Sequence, residues 1–317
     1  MKILFAGTPE FAVPSLEALC DSPHEVIALL SKPDRPRGRS RKPVWPETKK
    51  VATERGVPVF QPQDLRTPEF EETLKALSPD LIAVVAYGKM LPAAVLDAPP
   101  FGCVNVHASL LPSYRGAAPI NWAIAKGEKK TGVTAMQIDE KMDAGDILAQ
   151  REVLIGDEET AEELSKRLSL EGAHLLLETI DRIAENEISP VKQNPAAATY
   201  APLLSRKDGR VDWNRGADEI KNLVRAMIPW PCAHTTLGGK NLKILRALSG
   251  PGQGKPGEIV SLGGESLDVA TGNGILQIFS LQIEGGRKME APEFKRGRKD
   301  LREGQFMGVP GNSLYPD

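Results

Sequence analysis

Asn105 and His107 stand two residues apart in the run Gly102-Cys103-Val104-Asn105-Val106-His107, and Asp143 opens the turn Asp143-Ala144-Gly145-Asp146. An amide, an imidazole and a carboxylate are the groups a transfer through a tetrahedral oxyanion needs. The amide donates hydrogen bonds without titrating. The imidazole can give or take a proton near neutral pH. The carboxylate can orient or polarise the ring, or hold a water that relays a proton. Donors aimed at the oxyanion lower the barrier, and an amine held against an acyl donor attacks directly, so no covalent nucleophile is required. Each residue also has a plainer reading: a structural histidine at a strand end, a capping asparagine, an aspartate in a loop turn. Their spacing does not show that His107 and Asp143 meet.

If the run is a strand, its period of two puts Asn105 and His107 on one side. The surrounding pattern supports that. Lys2–Ala6 reads as a buried strand, Gly7-Thr8-Pro9-Glu10 as the start of a helix with Thr8 as its N-cap, and Glu25–Leu30 as a second strand, which together make a βαβ unit. No G-x-G-x-x-G follows the first strand, so a nicotinamide dinucleotide is not supported. Val57–Phe60, the strongly apolar Asp80–Ala86, Gly102–His107, Gly132–Ile138 and Ile147–Leu154 read as further strands, and Pro68–Leu77 and Ala118–Lys126 as helices. Thr160 and Glu163 form a capping box before a long amphipathic helix carrying Leu164, Leu168, Leu175, Leu176, Ile180 and Ile183. The expected architecture is a doubly wound, mostly parallel α/β sheet. Ligands of such sheets sit at the carboxyl ends of strands, where this reading places Asn105, His107 and Asp143.

Two stretches depart from this pattern. Residues 32–50 carry eight Lys and Arg (Lys32, Arg35, Arg37, Arg39, Arg41, Lys42, Lys49, Lys50) with four prolines and Trp45. Such a segment buries no core and reads as neither helix nor central strand. It suits phosphate contacts, with Trp45 as a stacking surface, or else it is a solvated loop. The proline-rich residues 188–205 read as an extended linker. Beyond it, a helix near Gly216–Ala226 precedes short strands around Ala233–Leu237, Leu242–Leu248, Gly257–Ser261, Ser266–Ala270 and Gly274–Ile283. That spacing suggests a small β-barrel of the oligonucleotide-binding (OB-like) kind. The domain plan is therefore residues 1–187 with a basic insert at 32–50, a linker at 188–205, and a second domain at 206–317.

The chain has 317 residues, and its hydrophobic and charged contents of 41% and 26% are those of a water-soluble globular protein. Residues 1–200 hold 23 Lys and Arg against 29 Asp and Glu, and residues 201–317 hold 17 against 13, so a basic half follows an acidic one. A polyanionic partner would explain that asymmetry, as would chance surface charge. A second basic stretch, Arg287 to Arg302, lies in the later half. Cys20, Cys103 and Cys232 are far apart and the four histidines are scattered, which fits a reducing cytoplasm and argues against disulfides or a metal site. No run approaches a membrane span.

The stretch Asn105-Val106-His107-Ala108-Ser109-Leu110-Leu111-Pro112, followed by Arg115-Gly116, closely resembles the signature of the folate-dependent formyltransferases. The resemblance covers the first domain. It implies a Rossmann-like formyltransferase fold, catalysis by Asn105, His107 and Asp143, and 10-formyltetrahydrofolate as formyl donor without a metal. Donor contacts are implied for Ser109, Leu110, Leu111 and Pro112, and for Tyr87 and Gly88 in Val85-Ala86-Tyr87-Gly88. Three features are similar to the branch of that family acting on methionyl-tRNA in translation initiation: Lys32-Pro33-Asp34-Arg35-Pro36 opening the insert, Tyr114-Arg115-Gly116-Ala117-Ala118-Pro119-Ile120, and the barrel. This implies the initiator methionyl-tRNA as partner, with Arg35, Arg37, Arg39, Arg41 and Lys42 as RNA contacts. In this chain the insert differs from the family's in Arg37 and Trp45-Pro46. Two rivals remain at this point. A formyltransferase for a small amine fits the triad equally well but leaves the insert and second domain unused. An RNA-binding chain on an inactive scaffold leaves the triad unused.

Overall fold

The structure, a computed structural model, describes residues 1–36 and 43–308. In chain order β1 (Lys2–Gly7) and β2 (Glu25–Leu30) precede a two-residue pair, β3 (Arg35–Pro36) and β4 (Pro43–Val44). Then come β5 (Val59–Phe60), β6 (Leu81–Val85), β7 (Cys103–His107), β8 (Arg115–Gly116), β9 (Lys130–Gln137), β10 (Ile147–Leu154) and β11 (Tyr200–Ala201). The helices are α1 (Val13–Cys20), α2 (Glu47–Glu54), α3 (Pro68–Leu77), α4 (Ala93–Leu96), α5 (Pro119–Ala125) and α6 (Ala161–Ala184).

Seven strands form one sheet in the order β10-β9-β7-β6-β1-β2-β5. Helices cover both faces, so β6 is buried at every position and its run Leu-Ile-Ala-Val-Val shows no alternation. The chain winds outward from β1 through β2 to β5, then returns to β6 on the other flank of β1. That reversal is where a doubly wound sheet opens its crevice.

Three expectations are corrected here. Thr8 caps no helix: a 3-10 turn, Glu10–Ala12, intervenes before α1. Its hydroxyl instead donates to the Tyr87 carbonyl after β6 and accepts from Lys32 N–H after β2, both at 3.3 Å. The basic insert is not wholly irregular, because α2 begins inside it at Glu47 and its Thr48 hydroxyl is buried on the carbonyls of Gly7 and Thr8. And β9 runs antiparallel to β7, with Gln137 beside Val104. The turn after β9 therefore leaves from the amino end of β7, not its carboxyl end. Side-chain alternation is the same for either strand direction, so the sequence pattern is blind to this.

The described residues divide into two compact units. The first holds Met1–Pro119, Lys130–Leu154 and Leu164–Pro202, and the second holds Ile120–Lys129, Ile155–Glu163 and the chain from Leu203 onward. Within the second unit, buried Arg225 donates to the carbonyls of Gly156 (2.9 Å) and Glu159 (3.1 Å), and Asn121 donates to Ala226 O at 2.7 Å. Those bonds clip the two early segments to α7 (Ala217–Ala226). The unit's sheet is antiparallel: β12 (Ala233–Leu237), β13 (Lys240–Gly250), β14 (Ile259–Ser261), β15 (Leu267–Ala270), β16 (Ile275–Ile283) and β17 (Met289–Glu290), followed by α8 (Ala291–Arg296). The strand order is β12-β13-β16-β15-β14, with β17 also on β16. Strict alternation in β12 turns Ala233, Thr235 and Leu237 inward. Trp213, Leu242, Ile244, Leu276, Ile278 and Phe294 fill the core. Among the described residues no ladder joins β14 directly to β12; the segment after α8 runs between their ends, with a bridge from Phe306 to Glu258 and the Gly308 N–H donating to Thr236 O at 2.9 Å.

Candidate functional site

Asn105 and His107 lie on β7, the fifth strand of the sheet, and face the same side of it. His107 is nearly enclosed, and its Nε2 sits 2.9 Å from the carbonyl oxygen of Tyr114. A carbonyl only accepts, so Nε2 carries the hydrogen and Nδ1 is the bare nitrogen of the neutral ring. Nδ1 faces the Asp143 carboxylate, with Oδ2 at 3.7 Å. That gap is too long for a hydrogen bond. In the neutral ring that nitrogen and the carboxylate are both acceptors, so a hydrogen bond between them requires a proton on Nδ1. The ring is therefore oriented by Tyr114 rather than by Asp143. Asn105 is half-buried, and its amide makes no hydrogen bond with a described residue.

Asp143 reaches this place from an unexpected direction. Its loop departs beside Cys103, where Ile138 N–H donates to the Cys103 carbonyl. His107 lies four positions beyond Cys103, about 13 Å along a strand. The loop has to double back over that distance. Three features hold it there. The Gly116 N–H donates to Asp143 Oδ2 at 2.8 Å, a charge-assisted bond. The Gln193 amide donates to the carbonyls of Asp143 (2.9 Å) and Gly145 (2.8 Å). Gly145 packs so closely that a Cβ there would lie 1.8 Å from the Gln137 carbonyl oxygen. Asp143 itself takes a left-handed backbone, φ 49°, as does Tyr114 at φ 59°. For residues with a Cβ this costs roughly 1–3 kcal/mol each and persists only where the surroundings impose it.

The brace continues outward. Arg115 is buried, and its Nε and Nη2 both donate to Gln193 Oε1, at 3.1 and 2.6 Å. Tyr200–Ala201 pairs in parallel with Arg115–Gly116, and the Tyr114 N–H donates to the Thr199 hydroxyl at 2.8 Å. Residues 188–205, expected to be a linker, thus carry one short strand and one buried amide that close over the site. Tyr114, Gly116 and Gln193 act here through backbone atoms or a lone amide. The first two fell inside the recognised motif, but nothing in the sequence marks Gln193.

Of the expected donor contacts, Ser109 and Leu111 are buried while Leu110 and Pro112 are half-buried. The Ser109 hydroxyl donates to Ser113 O, and its carbonyl accepts from the Thr134 hydroxyl, both at 2.6 Å, so the loop is fixed internally. Tyr87 projects into the core with Leu4, Leu30 and Val84, and burial pushes its phenol up to about 12. Its backbone is what remains for a ligand. Gly88 takes φ 71°, and a Cβ there would lie 2.3 Å from the Lys32 ammonium. Burial lowers the pKa of Lys32, and the charges of Arg35 and Lys89 lower it further. A cavity of about 430 Å³ begins at the next residue, lined by Lys89–Pro92 and by Gln63–Arg66. None of Asn105, His107 or Asp143 lines it.

Of the expected RNA contacts, Arg35 is exposed, whereas Arg37, Arg39, Arg41 and Lys42 lie outside the described residues. The base of the insert is fastened. Asp34 accepts from Lys49 Nζ at 2.8 Å and from Gln61 Nε2 at 2.8 Å, which holds its carboxyl below the usual range. Lys49 also lies 4.7 Å over the Trp45 ring, so one face of that ring is already in use. The three cysteines are free. Among the described residues no group of histidine, cysteine and carboxylate side chains could hold a metal ion, and no helix is long and apolar enough to cross a membrane.

Residues 1–180 match the family model described as formyl transferase, and residues 203–299 match that of the formyl transferase C-terminal domain. The methionyl-tRNA formyltransferase of Citrifermentans bemidjiense is 48% identical over 314 residues, covering 99% of this chain and 98% of its own. That of Thermodesulfovibrio yellowstonii is 48% identical over 302 residues, covering 95% and 97%. Among solved structures, an N-formyltransferase from Helicobacter canadensis in complex with folinic acid and dTDP-3-aminofucose superposes with a TM-score of 0.67 at 20% identity. It covers 91% of this chain and 100% of its own, a likeness of fold.

Proposed function

The chain belongs to the methionyl-tRNA formyltransferase family, and on that premise we propose that it moves the formyl group of 10-formyltetrahydrofolate to the α-amino group of initiator methionyl-tRNA, with Asn105, His107 and Asp143 as catalytic residues. The observation that carries the proposal is the bare Nδ1 of a ring locked by Tyr114, 3.7 Å from a carboxylate that a folded-back loop delivers. The methionyl nitrogen attacks the formyl carbon, and the carbonyl oxygen takes the negative charge. The free amide of Asn105 donates to that oxygen. Nδ1 takes the proton that the amine loses, and the Asp143 carboxylate then faces an imidazolium instead of a lone pair. The protonated ring donates to the oxyanion in its turn. As the bond to N10 of the folate breaks, the same proton passes to that nitrogen. A C–N bond forms, a C–N bond breaks, and His107 ends as it began.

The donor is placed against Ser109–Pro112 and the backbone of Tyr87 and Gly88, with residues 1–187 as the catalytic domain. Residues 206–317 are assigned to tRNA, in an OB-like barrel, and Arg35, Arg37, Arg39, Arg41 and Lys42 to the phosphates of the same partner. Labelled formyl transfer to methionyl-tRNA, with uncharged tRNA as control, tests the reading. Equal label on both tRNAs, or none on either, refutes it.

A further inference from the structure

We propose that Gln193 is a positioning residue for this transfer: its side-chain amide fixes where the Asp143 carboxylate stands against His107. The inference rests on the catalytic reading above. Gln193 falls between the two family-matched regions, 1–180 and 203–299, in the stretch expected to be a linker. It is nevertheless buried, and every polar atom of its side chain is committed. Arg115 can only donate, so the carbonyl end of the amide has to face the guanidinium, which accounts for the bonds of 3.1 and 2.6 Å to Oε1. That leaves Nε2 pointing the other way, onto Asp143 O and Gly145 O. Arg115 thus decides which end of the amide meets the loop, and the loop's two carbonyls decide where Asp143 stops.

The alternative is that Gln193 merely satisfies buried polar atoms. The loop's path argues against that. Asp143 departs from the wrong end of β7, takes a left-handed backbone, and makes no hydrogen bond to His107. Nothing on the ring holds the carboxylate in place. Its anchors are Gly116 N–H on the side chain and Gln193 on the backbone. Gly116 is itself the neighbour of Arg115, so both anchors trace to one short strand, β8, and to the guanidinium that issues from it.

Two variants and two readouts test the proposal. Gln193→Ala removes both arms of the brace. Gln193→Glu keeps an acceptor for Arg115 but replaces the N–H donors with a carboxylate facing two carbonyl oxygens. A purely structural role predicts that both variants lose stability, seen as a lower melting temperature, while kcat per folded molecule stays at the parent's value. Positioning predicts that both variants lose about tenfold or more in kcat per folded molecule, the scale of misplacing a reacting group by a fraction of an ångström. KM for either substrate stays within about twofold. Independently of turnover, hydrogen exchange in residues 138–146 and at Gly116 should accelerate in both variants, while β7 and β9 stay protected. Parental kcat in Gln193→Glu, a loss confined to KM, or unchanged exchange of the loop overturns the proposal. If the parent chain transfers no formyl group, the reaction assigned above fails, and the exchange readout alone decides whether Gln193 sets the loop.

Discussion

The carboxyl end of β7 in the first unit and the antiparallel sheet of the second unit use polar groups in opposite ways. At the first, the groups are buried and tied: His107 to Tyr114, Asp143 to Gly116 and Gln193, Gln193 to Arg115. Two residues there hold strained left-handed backbones. In the second, the basic stretch from Arg287 to Arg302 divides. Arg287 and Arg298 are paired with Glu293 and Asp300, and Lys295 is spread over the carbonyls of Gly263, Gly264 and Ser266. Lys288, Arg296, Lys299 and Arg302 are exposed and make no ion pair with a described residue. One region fixes a few atoms in place, and the other offers charge on long, mobile side chains. Fixed atoms serve a transition state, whereas mobile charge serves the attraction of a polyanion.

That contrast breaks most directly at His107. Replacing it with alanine is expected to lower kcat by about 10² to 10³, roughly 2.7–4 kcal/mol, the range for one donor at an oxyanion, with little change in KM. Turnover close to the parent's would show that the tied region is a scaffold. Asp143→Asn should fall short of that. The amide can still accept from Gly116 N–H, so the loop stays seated, but it offers no charge to an imidazolium. A loss of roughly 10- to 100-fold in kcat is expected. A larger loss than in His107→Ala would mean that the carboxylate acts on the substrate itself. In the second unit, the pair Arg296→Ala and Arg302→Ala should leave kcat alone. They should weaken binding of methionyl-tRNA and make its logarithmic salt dependence shallower, by about one for each phosphate that is no longer neutralised. A fall in kcat with an unchanged salt slope would erase the distinction between the two regions.

The same contrast explains what the sequence made legible. The second sheet follows from short strands spaced between glycine turns, so β12 and β16 fall within the expected Ala233–Leu237 and Gly274–Ile283. In the first unit, β1, β2 and β6 are as plain, because apolar runs buried on both faces have few other uses. Strand direction has no such signature, and the antiparallel course of β9 shows only in the pairing. Thr8 before Pro9 has the form of a helix cap, but tertiary hydrogen bonds to Tyr87 and Lys32 claim its hydroxyl. Asn105, His107 and Asp143 stand out because the proposed transfer needs their side chains. Tyr114 and Gly116 act through the backbone, which any residue has, and Gln193 is one amide among prolines and alanines.

The smallest expected effect compares two carboxylates, one from each unit, by pH. Hydrogen bonds from Lys49 and then Gln61 hold Asp34 below the ordinary carboxylate range. Asp300 is held low in the same direction, chiefly by its hydrogen bond to Arg298, but its side chain is 64% exposed against 24% for Asp34. A folded-state pKa below the unfolded value adds stability that is fully present above the unfolded pKa, about 3.9, and is lost as pH falls through the folded one. Asp34→Asn removes that contribution, so its melting temperature should decline less steeply than the parent's on acidification below about pH 4. Asp300→Asn should do the same more weakly, and added salt should abolish its difference from the parent, because an exposed pair is screened and a partly buried one is not. If salt flattened the two differences equally, Asp34 would be as open to solvent as Asp300, and the base of the basic insert would belong with the mobile charges of the second unit rather than with the tied groups around His107.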